Sequence, residues 1–204
     1  MKYIIHFVIL LLASSAVAAA QAAEPAAVTK PSSQITVQGS GLFARSVTSS
    51  GVTYKPSATE GVMAGYRFYF SRWLGVEGDA DFFFHDAQKY ALSNAAVSLK
   101  TSVNAVTGAA VIGIPNPMTR KLQSFVLIGG GAIIFRPNES SVDCQIKNAI
   151  VFGGGVDFPI TRHIAIRAQA KTFLYKAPDF QNTDLKVDKF TQAMVPSAGL
   201  VYKF

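Results

Sequence analysis

The C-terminal residues carry the pattern that most constrains the fold. The chain ends on Leu200-Val201-Tyr202-Lys203-Phe204, with a large apolar or aromatic side chain at every second position and an aromatic residue last. Period-two alternation is typical of a β-strand, whose successive side chains point to opposite faces. The last residues of a soluble domain are usually polar and loosely held. This ending therefore predicts a strand that stays in a sheet to the final residue, with one face apolar.

The N-terminal residues have the features of a secretory signal peptide. Met1 and Lys2 give a short positive start, residues 3–13 are nearly all apolar, and Ala20-Gln21-Ala22 offers a small-x-small cleavage site. The apolar stretch is too short for a membrane-spanning helix, and no cysteine near the site could carry a lipid. We therefore expect a signal peptide at 1–22 and a flexible leader at 23–33.

Composition restricts the fold of the mature chain. Hydrophobic residues make up 50% of the sequence and charged residues 15%, whereas soluble domains have about 25% charged residues. The longest apolar run, 125–135, has 11 residues and contains three glycines, so it falls short of the ~20 residues of a spanning helix. Because a closed β-barrel is the other fold that satisfies every backbone group in lipid, a barrel is the fold class that fits.

Charge and cysteine content exclude several function classes. Cys144 is the single cysteine, so an intramolecular disulfide and a thiolate metal cluster are excluded. The formal net charge is +7, but lysines and arginines are scattered, with no run of three. An anionic lipid surface is therefore favoured over nucleic acid as the partner.

Turn chemistry divides the mature chain into eight predicted strands. They lie at about 34–44, 59–70, 74–86, 98–114, 121–136, 147–158, 163–175 and 191–204. Short links follow the second, fourth and sixth strands, and longer polar loops follow the others, near 45–58, 87–97, 137–146 and 176–190. This alternation predicts an up-and-down antiparallel barrel at 34–204, with turns on one side of a membrane and loops on the other.

Alternation within the strands predicts an apolar outer face and a charged interior. In the third strand, Val76, Phe82 and Phe84 alternate with Glu77, Asp79 and Asp81. Likewise, Arg67 of the second strand and Arg167 and Lys171 of the seventh alternate with apolar residues. The fifth strand is apolar on both faces, so its phase stays ambiguous.

Two stretches carry a resemblance to a known family. Residues 61–70 and 73–82 read GVMAGYRFYF and WLGVEGDADF; they are similar to the second hairpin of small eight-stranded outer-membrane proteins, the barrel domain of the OmpA and opacity-type superfamily. The ending Leu200, Tyr202 and Phe204 resembles the signal strand that the barrel assembly machinery recognises. The resemblance covers most of the mature chain and implies an integral bacterial outer-membrane protein with both termini in the periplasm.

The same resemblance implies the partners. They are outer-membrane lipid including lipopolysaccharide and the assembly machinery with periplasmic chaperones. The long loops on a rigid scaffold, above all the one near 176–190, separately predict an extracellular protein or glycan as a partner. Nothing follows Phe204, so we expect no peptidoglycan-binding domain.

The inward charges admit two interpretations. Glu77, Asp79 and Asp81 could form a metal or acid/base site, or they could pair with the inward cations. The interior of an eight-stranded barrel is just wide enough for side chains to fill it, and an unpaired charge there is costly. We therefore predict lumen ion pairs among Arg67, Glu77, Asp79, Asp81, Arg167 and Lys171, with Lys100 as a further candidate. We predict no metal, cofactor or catalytic residue.

Other motifs favour structural roles. The glycine triplets at 129–131 and 153–155 lack the Lys-Ser/Thr and the helix of a phosphate loop; they are predicted to face each other where the wall curves. His85 near Ser93 and Ser98 is the candidate for nucleophilic catalysis, but no close His-x-Ser pair exists.

Four functions remain to be distinguished. They are a non-enzymatic structural or interaction barrel, which we favour, a small pore, a lipid A-modifying enzyme and a soluble ligand-binding barrel. The soluble barrel conflicts with the apolar outer face.

Overall fold

Ten antiparallel strands make up the structure, a computed structural model that describes residues 32–49, 52–92, 95–114, 122–137, 144–178 and 189–204. At 49, 52, 85–88, 90–92 and 95–99, it describes the backbone alone. The strands are β1 (Ser32–Ala44), β2 (Val47–Ser49), β3 (Val52–Pro56), β4 (Thr59–Tyr69), β5 (Leu74–Leu92), β6 (Ala95–Ile114), β7 (Gln123–Pro137), β8 (Gln145–Pro159), β9 (Ile164–Lys176) and β10 (Phe190–Lys203). In the described residues, no helix is long and apolar enough to cross a membrane.

Eight of these strands close into a barrel, as the sequence predicted. From β4 to β10 each strand pairs with the next, and β1 pairs with both β4 and β10. The final residue takes part in the closure: the amide of Phe204 donates to the carbonyl of Ser33 at 3.0 Å, and the Ser33 amide donates back at 3.2 Å. Since a closed barrel has no edge strand, its backbone groups pair internally.

Two hairpin connections have the same hydrogen bonds. In the link at 70–73, the amides of Phe70 and Ser71 donate to the Leu74 carbonyl, and the Ser71 hydroxyl accepts from the Leu74 amide at 3.0 Å. In the link at 160–163 the amides of Ile160 and Thr161 and the Thr161 hydroxyl make the same contacts with Ile164. We call the end of the barrel that holds these links and Phe204 the turn end, and the opposite end the loop end.

The loop end has more regular structure than the sequence predicted. The segment 45–58 contains the hairpin of β2 and β3, and β3 pairs with the end of β5. The predicted loop at 87–97 is wrong, because β5 and β6 stay paired up to Leu92 and Ala95. A register shift between Phe83 and Asp86 changes the inward–outward alternation there. A strict period-two pattern therefore ends at this point, and the predicted strand stopped before the true end of β5.

The N-terminal boundary lies slightly before its predicted position. β1 begins at Ser32, so the last two residues of the predicted leader at 23–33 belong to the sheet. The predicted signal peptide at 1–22 lies outside the described residues.

The two faces of the wall have the predicted polarity. Each of the eight barrel strands exposes large apolar side chains on the outside, such as Val76 and Phe82. On the inside, Arg67, Glu77 and Lys171 are all buried. A soluble barrel would have the reverse arrangement, so the outer wall suits contact with lipid.

Candidate functional site in the barrel lumen

The first ion pair joins β4 and β5 near the turn end. Arg67 lies directly opposite Glu77 in the register, and its Nε donates to Glu77 Oε2 at 2.5 Å. Arg67 Nη1 also donates to the Tyr69 hydroxyl at 3.2 Å. Both residues are at most 5% exposed, so this pair lies in the interior and is shielded from bulk solvent.

The second ion pair repeats this arrangement across the link at 160–163. Arg167 lies opposite Asp157, and the guanidinium binds the carboxylate through two bonds, at 2.7 and 2.8 Å. Each pair spans ten residues of the chain and encloses one of the two matching links. A bidentate Arg–carboxylate contact is among the stronger charged interactions.

Arg167 connects the two pairs and the closing strand. Its Nη1 donates to Glu77 Oε2 at 3.4 Å and to the Thr36 hydroxyl at 3.3 Å, and its Nη2 donates to Gln34 Oε1 at 2.7 Å. The network therefore crosses the lumen from β9 to β1 and β5.

The third ion-paired group joins β9 and β5 and lies further from the turn end than the first two pairs. Lys171 Nζ donates to Asp79 Oδ1 at 2.6 Å and to Asp81 Oδ2 at 2.9 Å, and the lysine side chain is fully buried. The ammonium reaches from β9 to β5, two strands that are not neighbours in the sheet. All six predicted lumen residues thus lie in the interior, each in contact with a partner of opposite charge.

Phe125 packs beside both guanidinium groups. Its ring centroid lies 3.9 Å from the Arg67 Cζ and 5.0 Å from the Arg167 Cζ, which is within the range of cation–π contacts. The ring can occupy this position because residue 155 is a glycine: a Cβ added to Gly155 would lie 2.8 Å from Phe125 Cζ. The phase of this strand, ambiguous in sequence, is therefore fixed with Phe125 inside.

The glycine triplets do not face each other as predicted. Gly129–131 lie opposite 149–151 in β8, and Gly153–155 lie opposite 125–127 in β7. Each triplet instead leaves room for a neighbouring strand; at Gly153, for example, an added Cβ would lie 2.9 Å from the Lys171 Cα.

The loop half of the lumen is apolar. Phe83, Val103, Phe135 and Tyr175 fill it, each at most 2% exposed, and Tyr54 from the β2–β3 hairpin is fully buried against this group. The lumen therefore has a charged layer towards the turn end and an apolar layer towards the loop end.

Several buried polar side-chain atoms of the lumen have no hydrogen-bond partner among the residues that the structure describes. They belong to Gln38, Ser40, Thr107, Gln169 and Ser197. In the β1–β10–β9 part of the wall, Ser40 lies opposite Ser197, which in turn lies opposite Gln169. Such groups are ordinarily satisfied by ordered water, so we expect the polar part of the lumen to be hydrated.

Sequence reasoning missed Asp157 and misplaced Lys100. Asp157 has the same odd-numbered inward phase as Ala149 and Val151, and this periodicity could have located it. Lys100 is exposed beside the buried Thr101, so its expected place among the inward charges is wrong.

The remaining predicted residues lie on the outer wall, at the rim of the barrel, or among residues that the structure does not describe in full. Leu200, Tyr202 and Phe204 are 59%, 52% and 60% exposed on one face of β10 and the adjoining terminus. The Tyr202 ring lies 6.1 Å from both His163 and Phe204, so an aromatic cluster borders the turn end. Of the catalytic candidates, Ser93 lies outside the described residues, and only the backbone is described for His85 and Ser98.

No metal-binding group of three or more His, Cys, Asp or Glu side chains occurs in the described part of the chain. The inward carboxylates are instead engaged with cations. Cys144 is exposed and unpaired in this structure.

Comparisons with known proteins agree with this architecture. The family model described as "Outer membrane protein beta-barrel domain" matches residues 8–204. A search of curated protein sequences found no match. Among solved structures, the outer membrane protein OprG from Pseudomonas aeruginosa is similar at a TM-score of 0.61 and 14% identity, over 85% of this chain and 95% of that chain.

Two further structures have the same fold. Neisserial surface protein A is similar at a TM-score of 0.58 and 12% identity, over 88% of this chain and 100% of that chain. Ail of Yersinia pestis, in complex with the heparin analogue sucrose octasulfate, is similar at 0.53 and 15%, over 86% and 100%. The solved structures share the fold, and the family match extends over nearly the whole sequence, so this chain belongs to the outer-membrane protein β-barrel domain family.

Proposed function

We propose that this outer-membrane barrel is a non-enzymatic structural or surface-interaction protein whose lumen is closed by ion pairs. The contact of Lys171 with Asp79 and Asp81 across the lumen is the observation that carries this proposal. The apolar layer around Phe83 and Phe135 adds a second barrier. A barrel closed in this way exchanges little solute, so its interactions belong to its surfaces.

In this proposal both termini lie in the periplasm and the loop end faces outwards. The turn end holds the short links, which are typical of the periplasmic side, and the aromatic cluster of His163, Tyr202 and Phe204, which suits a membrane interface. Leu200, Tyr202 and Phe204 then serve as the assembly signal for the barrel machinery. The loops meet an extracellular protein or glycan, and the complex of Ail with a heparin analogue supports an anionic glycan as one class of ligand for barrels of this fold.

A small pore is the second candidate. Polar atoms of Gln38, Gln169 and Ser197 that lack a partner among the described residues favour it, because water bound to them would shorten the dry barrier in the lumen. A lipid-modifying enzyme has less support. It requires a nucleophile and a base within hydrogen-bond distance, and the sequence contains no close His-x-Ser pair.

Envelope fractionation and planar-bilayer recording test the proposal together. We expect the protein in the outer membrane, with different gel mobility before and after boiling, because closed barrels resist unfolding. In bilayers the wild-type barrel should conduct poorly. A large, stable open channel would favour the pore, and recovery in the soluble periplasmic fraction would contradict membrane insertion.

A further inference from the structure

A groove lies in the outer wall where β1 meets β10, on the side towards the loop end. Its volume is about 680 Å³, which is within the range of small-ligand sites. The groove is open because small residues form its floor: the nearest atom to a Cβ added at Gly39, apart from its chain neighbours, is 4.0 Å away. We call it the outer groove, and its lining includes Gly39, Gly41, Phe43, Glu60, Phe84 and Pro196.

One backbone hydrogen bond of the wall cannot form in the outer groove. At the turn end, Ser33 and Phe204 exchange both of their backbone bonds. Bonded pairs recur at every second position of an antiparallel ladder, and the same phase reaches Gly41, which the register places opposite Pro196. Proline has no N–H to donate, and the pairing of β1 with β10 skips residues 41 and 42. The Gly41 carbonyl therefore lacks the donor that the ladder would normally supply.

Glu60 places a carboxylate beside this carbonyl. It lies directly opposite Gly41 of β1 and, on its other side, opposite Phe84 of β5. Its side chain is exposed on the outer wall, where the next outward residue of β4 is the apolar Val62. Among the side chains that the structure describes, no cation forms an ion pair with Glu60. Because a charge on a lipid-facing wall costs stability, a cationic ligand is its favourable partner.

Two phenylalanine rings border the same two acceptor groups. Phe84 is the direct cross-strand neighbour of Glu60, with Cβ atoms about 5 Å apart. The Phe43 ring lies beside Gly41, where an added Cβ would be 3.0 Å from the ring atom Cε2. Aromatic faces attract ammonium groups, and a primary ammonium has three N–H donors. The groove therefore matches a primary ammonium that donates to the Glu60 carboxylate and the Gly41 carbonyl.

We propose that the outer groove binds a phospholipid whose headgroup ends in a primary ammonium group. The floor of the groove continues towards the turn end through Gly39 and Ala198, which lie opposite each other and carry no polar side chain. An acyl chain can lie along this floor while the ammonium contacts Glu60, whereas a soluble amine would leave the floor unfilled. The inference requires insertion in a membrane, but it does not depend on a closed lumen.

The test compares two lipids that differ only in the ammonium group. The refolded full barrel in detergent micelles is mixed with equal amounts of phosphatidylethanolamine and phosphatidylcholine of the same acyl chains, and the retained lipids are counted by native mass spectrometry. Trimethylation removes the three N–H donors, so wild type should prefer the ethanolamine lipid about tenfold, equivalent to about 1.4 kcal/mol. Glu60→Gln keeps the side-chain shape but removes the charge, and it should lose most of this preference. Glu139→Gln, in the connection between β7 and β8, is the charge-matched control and should behave like wild type.

Pro196→Ala tests the role of the Gly41 carbonyl separately. The alanine amide can donate to Gly41 and complete the ladder, so the preference for the ethanolamine lipid should fall about fivefold. Slow hydrogen exchange of the new amide shows that the bond has formed. Pro159→Ala makes the same change at the turn end of β8 and should leave the preference unchanged.

Several outcomes would contradict the proposal. Equal retention of the two lipids by wild type would overturn it, as would an unchanged preference in Glu60→Gln or Pro196→Ala, or a parallel loss in the controls. Full competition by soluble glycerophosphoethanolamine would replace the lipid by a soluble amine and would overturn it as well. Heat-modifiable gel mobility, measured for each variant, separates these outcomes from a failure to form the barrel. Because no readout depends on conductance, failure here is distinct from failure of the closed lumen.

Discussion

Lys171 offers the most decisive test of the closed lumen. Its ammonium lies 2.6 Å from Asp79 and 2.9 Å from Asp81 and is fully buried. Lys171→Met keeps most of the side-chain volume but removes the charge shared by two carboxylates. The lumen network holds three cations and four carboxylates, a formal charge of −1, and the variant makes it −2.

Lys171→Met should lower the free energy of unfolding by a large amount. Breaking a buried ion pair from one side destabilises by about 3–5 kcal/mol, because it leaves an uncompensated charge. Here two carboxylates lose their partner at once, so we expect Lys171→Met to lie at the upper end of that range. Val76→Ala, a change on the lipid-facing wall, should cost about 0.5 kcal/mol, the size typical of surface substitutions.

Urea unfolding of the barrel in lipid vesicles, followed by gel mobility without boiling, measures the difference. The triple variant Lys171→Met/Asp79→Asn/Asp81→Asn removes all three charges and should recover most of the lost stability. A loss below about 1 kcal/mol for Lys171→Met, with no recovery in the triple variant, would refute the reasoning. That result would mean that water solvates Lys171 well and that this layer of the lumen is open.

Four further predictions concern other parts of the barrel. Deletion of Phe204 should lower the amount of assembled barrel in the outer membrane more than it lowers the unfolding midpoint; normal surface levels would contradict the signal role. Gly155→Ala should cost about 1–3 kcal/mol through overpacking against Phe125, whereas Gly130→Ala, where the nearest atom to an added Cβ is 3.4 Å away, should cost less; equal urea midpoints would contradict this. Glu77→Ala should cost about 3–5 kcal/mol by removing the partner of Arg67 and should raise bilayer conductance, and an unchanged current would show that another layer closes the lumen. Trimming 177–188 should leave folding intact but reduce ligand binding or adhesion, and the interaction role loses its support if binding persists.

The sequence predicted those features that depend on local periodicity. Eight strands, the polarity of the wall and the inward phase of Arg67, Glu77 and Lys171 follow from period-two alternation, because one face meets lipid. The same rule failed beyond Phe83, where a register shift changes the phase. It also gave no phase for the strand of Phe125, since that strand is apolar on both faces.

The pairing of the charges could be predicted only in part. Arg67 and Glu77 flank a short turn, so their contact follows from hairpin register. Lys171 pairs with Asp79 and Asp81 across the lumen, and this choice depends on the relative heights of β5 and β9 in the closed barrel. Asp157 was missed because the glycines at 153–155 interrupt the alternation that leads to it.

The repeated hairpins suggest why charges are kept in a lumen that apolar side chains could also fill. A buried ion pair is often no more stabilising than a well-packed apolar group, and the loop half of this lumen uses apolar packing. Arg67–Glu77 and Asp157–Arg167, however, lie directly opposite each other on either side of matching links. A slip of one residue would turn these side chains towards lipid, where an Arg costs up to about 2–4 kcal/mol at the midplane. The inward pairs therefore discriminate strongly between the native register and its nearest alternatives at these two hairpins, and they reinforce the register that the short turns already favour.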